Sequence, residues 1–248
     1  MDEVASKLYQ DIAKADEIRV FEKWHASSIA ECTRSHYYKR LAIPRLQQAG
    51  AGKMLRWKAG HLYEEAIRPH LEALYPNLVS NERLESEELD LTGEYDNYSE
   101  KDEMIIEVKT VHDFAMQYRR KDDKRFRLKD DKPYLNHELQ NHCYVKLLRE
   151  KGKPVSSILY VYMTLDGRIA TYKTAVKPEL LLEVESRLKT LNTAWANQEP
   201  PECICDESHD LYKSTMQYCD YRNGDECCSL QLLSKGSEEI DPEWSEAK

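Results

Sequence analysis

The chain has 248 residues, 41% of them hydrophobic, and a formal net charge of −9. That suffices for one sizeable domain or two small ones, and the acidity argues against a protein that coats nucleic acid non-specifically. No apolar run is long enough to span a membrane, and the first residues, Met1 to Lys7, do not read as a signal peptide. A soluble, cytoplasmic protein is therefore expected, with its seven cysteines as thiols or metal ligands rather than disulfides.

Residues 2–15 read as helical. Residues 25–40 read as a second helix, with Ser27 or Ser28 as its cap and Glu31 placed to complete a capping box. Cys32 sits alone in it, and a lone cysteine is usually a small buried apolar group. After a connection over 44–52, residues 53–75 read as a long helix bent near Pro69. Leu62, Ala66, Leu71 and Leu74 form its approximate apolar stripe. His61 and Glu64, three apart, share a face, and Glu65 lies one turn from His61. Gly60 would let another segment approach closely. A strand follows within 78–91.

The chain is organised around Leu91 to Val111. Two short β-like runs flank a polar turn, the first ending at Asp96 and the second running from Met104 to Val108. Side chains in a strand alternate faces, so Glu107 and Lys109 point one way while Ile106 and Val108 enter a core. A hairpin-like return would set Asp96 opposite them, bringing two carboxylates and one ammonium to one spot. Hard divalent cations take one or two carboxylates together with substrate phosphate oxygens, and a lysine beside them stabilises phosphorane charge or helps to deprotonate water. Alone, Glu-x-Lys equally suits a surface hairpin with a weak ion pair. The apolar lead-in Met104-Ile105-Ile106 argues against a fully solvated strand.

Residues 110–118 read as a connection or short helix. They lead into a basic run of Arg119, Arg120, Lys121, Lys124, Arg125, Arg127 and Lys129, which suits either a solvated face or a strip that tracks phosphates. Asn136 caps a helix that reaches Glu150 and stops before Gly152 and Pro154. On it Leu139, Cys143 and Leu147 form one stripe, and Gln140 and Tyr144 an adjacent one. Residues 155–164 and 168–176 alternate well and are joined by Leu165-Asp166-Gly167, a hairpin signal. Residues 178–196 form an amphipathic helix with Pro178 in its first turn, ended by Pro200-Pro201. Cys203, Cys205, Cys219, Cys227 and Cys228 then fall within 26 residues, and the acidic stretch after Leu233 is expected to be disordered. Helices and strands in this order define an α/β domain on a mixed sheet.

Taken in order, Glu64, Gly93-x-x-Asp96, Ile106-Glu107-Val108-Lys109 and Gln140-x-x-x-Tyr144 resemble the RecB-like branch of the PD-(D/E)XK nucleases, over residues 25–230. The resemblance implies a restriction-endonuclease-like core, a central mixed sheet flanked by helices, with the N- and C-terminal segments joined by a cysteine metal site. The matching divisions are a helical segment over 1–52, the nuclease core over 53–200, a cysteine-rich segment over 201–233 and an acidic tail over 234–248.

By position, Asp96 and Glu107 would hold a catalytic Mg²⁺ or Mn²⁺, with the Val108 carbonyl as a further ligand. Lys109 would polarise or position the attacking water, and Gln140 and Tyr144 would orient Lys109 and the DNA strand. Many RecB-like members have a histidine where this chain has Glu64. Glu64 is assigned as a ligand, with His61 and Glu65 as alternatives. The implied activity is hydrolysis of DNA phosphodiesters from linear ends, leaving 5′-phosphates, in recombination, repair or phage DNA metabolism. The cell would be bacterial, archaeal or phage-infected, and a helicase or recombination protein could be a partner. An endonuclease, or an inert DNA-binding or assembly module of the same fold, is the alternative.

Some relatives carry a [4Fe-4S] cluster on one early and three late cysteines. Cys32, Cys205, Cys219 and Cys227 are the matching set here, with Cys203 and Cys228 as alternates and zinc as an alternative metal. The usual close Cys-x-x-Cys is missing, because Met216 stands where the partner of Cys219 would be.

Overall fold

A computed structural model describes residues 4, 7, 21–45, 51–120, 123–205, 208–211, 216, 219–223 and 226–227. Of the first predicted helix only Val4 and Lys7 are described, both helical, and the acidic tail after Leu233 lies outside the described residues.

The elements in order are β1 (Trp24–His25), α1 (Thr33–Arg40), α2 (Ala51–Leu74), β2 (Leu78–Ser86), β3 (Leu91–Ser99), β4 (Met104–Thr110), β5 (Met116–Arg120) and β6 (Asp123–Leu128). They are followed by α3 (Leu135–Glu150), β7 (Ser157–Met163), β8 (Ile169–Ala175), α4 (Pro178–Asn197), β9 (Arg222–Asn223) and β10 (Glu226–Cys227). Six strands form the main sheet in the order β1-β3-β4-β7-β8, with β2 also on β3. β4 and β7 run parallel, as do β1 and β3, while the β2–β3, β3–β4 and β7–β8 pairs are antiparallel. The expected class, a mixed sheet flanked by helices, is the one found.

One edge of β3 is taken by β2 along most of its length. The other edge is shared: β1 pairs with Leu91 and Thr92, and β4 pairs only with Asn97, Tyr98 and Ser99. Gly93 to Asp96 have no ladder partner on that edge. β3 continues to Ser99 rather than ending at Asp96, and it is the pairing with β4 that stops there.

The two faces of the sheet bury different sets. Met104, Ile106 and Val108 pack with Val161, Met163 and Leu71 under α2. Ile105, Ile158, Tyr160 and Tyr162 join Leu139, Cys143, Tyr144 and Leu147 of α3 on the other face. The predicted stripe of α3 is therefore its buried face.

Three expectations are corrected. Residues 25–40 do not form one helix. His25 caps a short 3₁₀ turn, Ala26–Ser28, by accepting from the Ser27 N–H, and Cys32 is extended (φ −57°, ψ 129°), so α1 starts after it. On α2, Leu62 and Leu74 are 65% and 72% exposed, and Ala66 is exposed as well. Leu71 of the expected stripe does face inward, joined by Tyr63 and Ile67 in place of Leu62 and Ala66, one residue out of phase there. One residue is a rotation of about 100°, enough to bring Glu64 round toward the sheet. Finally, the cap of α3 is Tyr134, and Asn136 lies inside the first turn. The Tyr134 N–H bonds the Tyr162 hydroxyl at 3.1 Å, so tertiary contact rather than an Asn cap fixes that end.

Among the described residues, early and late segments meet. The Arg34 Nε donates to the Pro201 carbonyl at 2.6 Å, Tyr221 donates to the Ile43 carbonyl at 3.1 Å, and the Arg187 guanidinium donates to the carbonyls of Ile29 and Glu31.

Candidate active site

The Asp96 carboxylate replaces the missing ladder bond: its Oδ2 accepts from the Val108 N–H at 2.8 Å. Continuing the β3–β4 register from Asn97 opposite Ile106 would set Asp96 opposite Glu107. The strands separate there, and a side chain from β3 fills the gap.

Glu107 is 0% exposed. Its Oε1 lies 2.5 Å from the Lys109 ammonium. Its Oε2 has no hydrogen-bond partner among the described residues. A buried acceptor left without a donor is costly and uncommon. Burial pushes the Glu107 carboxyl up to about 8, aided by Asp96 and Glu64 and opposed by Lys109. Burial works against the Lys109 ammonium, but Glu107, Asp96 and Glu64 outweigh it and hold its pKa above the ordinary lysine range.

Glu64 reaches this group from α2. Burial and the Asp96 charge raise its carboxyl, while Lys109 and His61 oppose them. The helix passes close to the end of β4: a Cβ on Gly60 would lie 3.4 Å from the Thr110 hydroxyl, an ordinary contact. The alternatives for this ligand point elsewhere. The His61 side chain is 78% exposed, with Nδ1 3.4 Å from Glu64 Oε2, and Glu65 is exposed.

Tyr144 is buried in contact with β3, and its position explains the glycine of Gly93-x-x-Asp96. A Cβ on Gly93 would sit 2.7 Å from Tyr144 Cε1 and 2.8 Å from Ala26 Cβ. Gln140 donates from Nε2 to the Tyr144 hydroxyl at 2.6 Å, and burial and the Glu107 charge hold the Tyr144 phenol well above its usual range. Two neighbours escaped the sequence reading. Tyr162 is opposite Lys109 in the β4–β7 register, and its hydroxyl lies 3.1 Å from His137 Nδ1. Burial and the Lys109 charge push His137 down to about 3. The signal was the helical spacing of His137, Gln140 and Tyr144, which places all three on one side of α3.

The donor set fits a hard divalent cation. It offers carboxylates on three elements, a buried one with an oxygen that lacks a hydrogen bond among the described residues, and a charged lysine beside it. Glu64, Asp96 and Glu107 do not close to within 4.8 Å of one another. Among the described residues, only Cys32, Cys203 and Cys205 bring three such ligand atoms that close.

That cysteine group joins an early residue to late ones, with Cys32 and Cys203 Sγ atoms 3.9 Å apart. Three converging sulfurs suit a thiophilic metal or an iron–sulfur centre. Cys203 is disulfide-bonded in this structure and would ligate only when reduced. Cys219 is buried and outside the group of three. It lines, with Cys32, Met216, Asn136 and Gln140, a cavity of about 240 Å³. Cys227 lies in β10, and Cys228 lies outside the described residues. Cys143 is buried on α3, and burial raises its thiol pKa, as suits a core position.

The basic run is not a helix face. Arg119 and Arg120 end β5, and Lys124, Arg125 and Arg127 lie on β6, its antiparallel partner. Lys129 follows β6, and Lys121 lies outside the described residues. Arg127 pairs with Asp131 at 3.4 Å.

The sequence matches no family model and no curated protein. Among solved structures the chain is similar to LHK-Exo, an alkaline exonuclease from Laribacter hongkongensis, at 11% identity over 76% of this chain and 93% of that one, with a TM-score of 0.48. It is similar to a phage-related exonuclease from Haemophilus somnus 129PT at 16% identity over 71% and 94%, with a TM-score of 0.48. It is also similar to SSO0001 at 16% identity over 89% and 95%, with a TM-score of 0.47. At these values they are likenesses of chain path, and any functional reading stands on the site itself. No helix among the described residues is long and apolar enough to cross a membrane.

Proposed function

We propose that the chain is a metal-dependent DNA exonuclease that hydrolyses phosphodiester bonds with Mg²⁺ or Mn²⁺. The observation that carries this is the fully buried Glu107, its Oε1 against the Lys109 ammonium and its Oε2 without a hydrogen bond among the described residues, at the point where Asp96 takes over from the β3–β4 ladder. Such a carboxylate is tolerated where a cation completes it.

Asp96, Glu107 and Glu64 would hold the cation, with the Val108 carbonyl as a further ligand. When bound, the ion supplies charge neutralisation at the phosphoryl oxygens and acidifies a water. Lys109, kept charged by its carboxylates, places a donor against the phosphate or the attacking water. Tyr144 anchors Gln140, which would orient Lys109 and the DNA strand. The basic β5–β6 hairpin supplies phosphate contacts, so a local basic arm coexists with a net charge of −9. Cys32, Cys203 and Cys205, with one further cysteine from the 201–233 segment, would hold a [4Fe-4S] cluster that pins that segment to the N-terminal one.

The test is digestion of end-labelled linear and closed circular DNA with Mg²⁺, Mn²⁺ or EDTA. Metal-dependent loss of linear DNA only is expected, and the fate of the label gives the polarity. Cutting of circles would make it an endonuclease. Binding without cutting under any condition would leave a DNA-binding module.

A further inference from the structure

The chain leaves the catalytic strand through a surface whose aromatic rings the nuclease reading does not use. After Lys109 come His112 and Phe114, whose rings stack with centroids 3.9 Å apart and an interplanar angle of 27°. Phe114 is nevertheless 67% exposed, and on β5 Tyr118 is 61% exposed. Tyr118 is register-paired with Phe126 across the hairpin, with ring centroids 4.8 Å apart. The chain has three phenylalanines, and two of them stand here.

One face of the hairpin is graded. The Met116–Leu128 pair is buried in the main core and the Leu128 N–H bonds the Tyr172 hydroxyl at 2.8 Å, so the base is fixed. The Tyr118–Phe126 pair comes next, followed along the strands by Arg119 and Arg120 on β5 and preceded by Lys124 and Arg125 on β6. Cations flank the rings as well: the Lys129 ammonium is 5.8 Å from the Phe114 ring and the Arg168 guanidinium 5.6 Å from the Phe126 ring.

Isolated exposed apolar residues need no explanation. Exposed aromatic rings in and beside a basic arm do, because this combination of π-faces for bases and cations for phosphates is how proteins hold unpaired nucleic acid. Duplex DNA has its bases already stacked and offers only phosphates and groove edges to such a surface. Phe114 is five residues from Lys109, at most about 17 Å along an extended chain, or roughly five stacked nucleotides.

Resting on the exonuclease reading, we propose that Phe114 and Tyr118 form a stacking platform that makes single-stranded DNA the form of substrate delivered to the Asp96–Glu107–Lys109 site.

The test reads binding in EDTA, where no cutting occurs. Full-length protein is titrated into fluorescein-labelled oligothymidylate and into a blunt duplex, with fluorescence anisotropy as readout. Wild type should bind the single strand more tightly than the duplex. F114A/Y118A should lose at least about fivefold in single-strand affinity for each base no longer stacked. Its duplex affinity and salt dependence should stay as in wild type, because phosphate contacts remain. F114W/Y118W should restore the preference, which a folding defect would not allow. Equal wild-type affinities for strand and duplex would overturn the proposal. So would F114A/Y118A binding the strand as wild type does, which would assign the rings to a protein partner. Because cleavage is not read, failure of the exonuclease reading would show separately, in the metal-dependent digestion, without altering these affinities.

Discussion

The Asp96 carboxylate bonds the Val108 main-chain N–H at 2.8 Å, two residues past the last β3–β4 ladder pair, Asn97 with Ile106. A side chain thus does the work of a missing strand partner and holds the Val108 peptide, with the Glu107 and Lys109 side chains on either side of it, in fixed relation to Asp96.

Asp96 and Lys109 are predicted to be needed for chemistry rather than for DNA affinity. K109A should lower kcat by at least about 100-fold, the loss typical of a donor aimed at developing charge, and D96A should be inactive. Both should still bind end-labelled DNA in gel shifts. A K109A protein that cuts at the wild-type rate would refute the assignment.

Metal-free stability should fall as pH rises. Glu107 has a carboxyl raised from 4.5 to about 8 by burial. Between those values the folded chain holds a proton that the unfolded chain has lost, so the stabilisation is complete below about pH 4.5 and is gone above about pH 8. The change is on the order of a few kcal/mol, at about 1.4 kcal/mol per pKa unit. Urea melts of the chelator-treated protein from pH 5 to 8.5 should show the decline, and E107Q should flatten it.

G93A should destabilise the fold by about 1–3 kcal/mol through overpacking. The added methyl meets Tyr144 Cε1 at 2.7 Å and Ala26 Cβ at 2.8 Å, and neither neighbour is the free end of a flexible chain. Urea unfolding measures the cost. Activity should fall further than stability explains, because the displaced ring carries the Gln140 bond.

Y144F and Q140A should be non-additive. Each removes the 2.6 Å Nε2–hydroxyl bond, worth about 1 kcal/mol to stability, so the double variant should lose less than the sum of the two single losses. Additive losses in both stability and kcat would show that the two side chains act separately.

Protein purified without oxygen should carry iron and acid-labile sulfide in proportion to chain, and C32S should lose both, with a lower melting temperature, since a bound metal stabilises the state that binds it. Iron-free, colourless wild-type protein with bound zinc would assign the Cys32–Cys203–Cys205 group to zinc instead.

Much of this molecule was legible in local pattern. The alternation of Met104 to Lys109, the stripe of Leu139, Cys143 and Leu147, the 165–167 hairpin turn and Pro178 at a helix start are dictated by neighbours in sequence, because side-chain periodicity and turn chemistry act over a few residues. That Glu107 and Lys109 share a face, and that Gln140 and Tyr144 lie together, follows from the same periods.

Tertiary structure alone decided the rest. On α2 the expected Leu71 meets the sheet together with Tyr63 and Ile67, not Leu62 and Ala66, because contact with the sheet and not leucine count selects the inward face. The end of the β3–β4 pairing, the full burial of Glu107 and the meeting of Cys32 with Cys203, 171 residues away, depend on which distant segments pack together. Those choices are made by burial of apolar area across the whole chain, and no local pattern contains them.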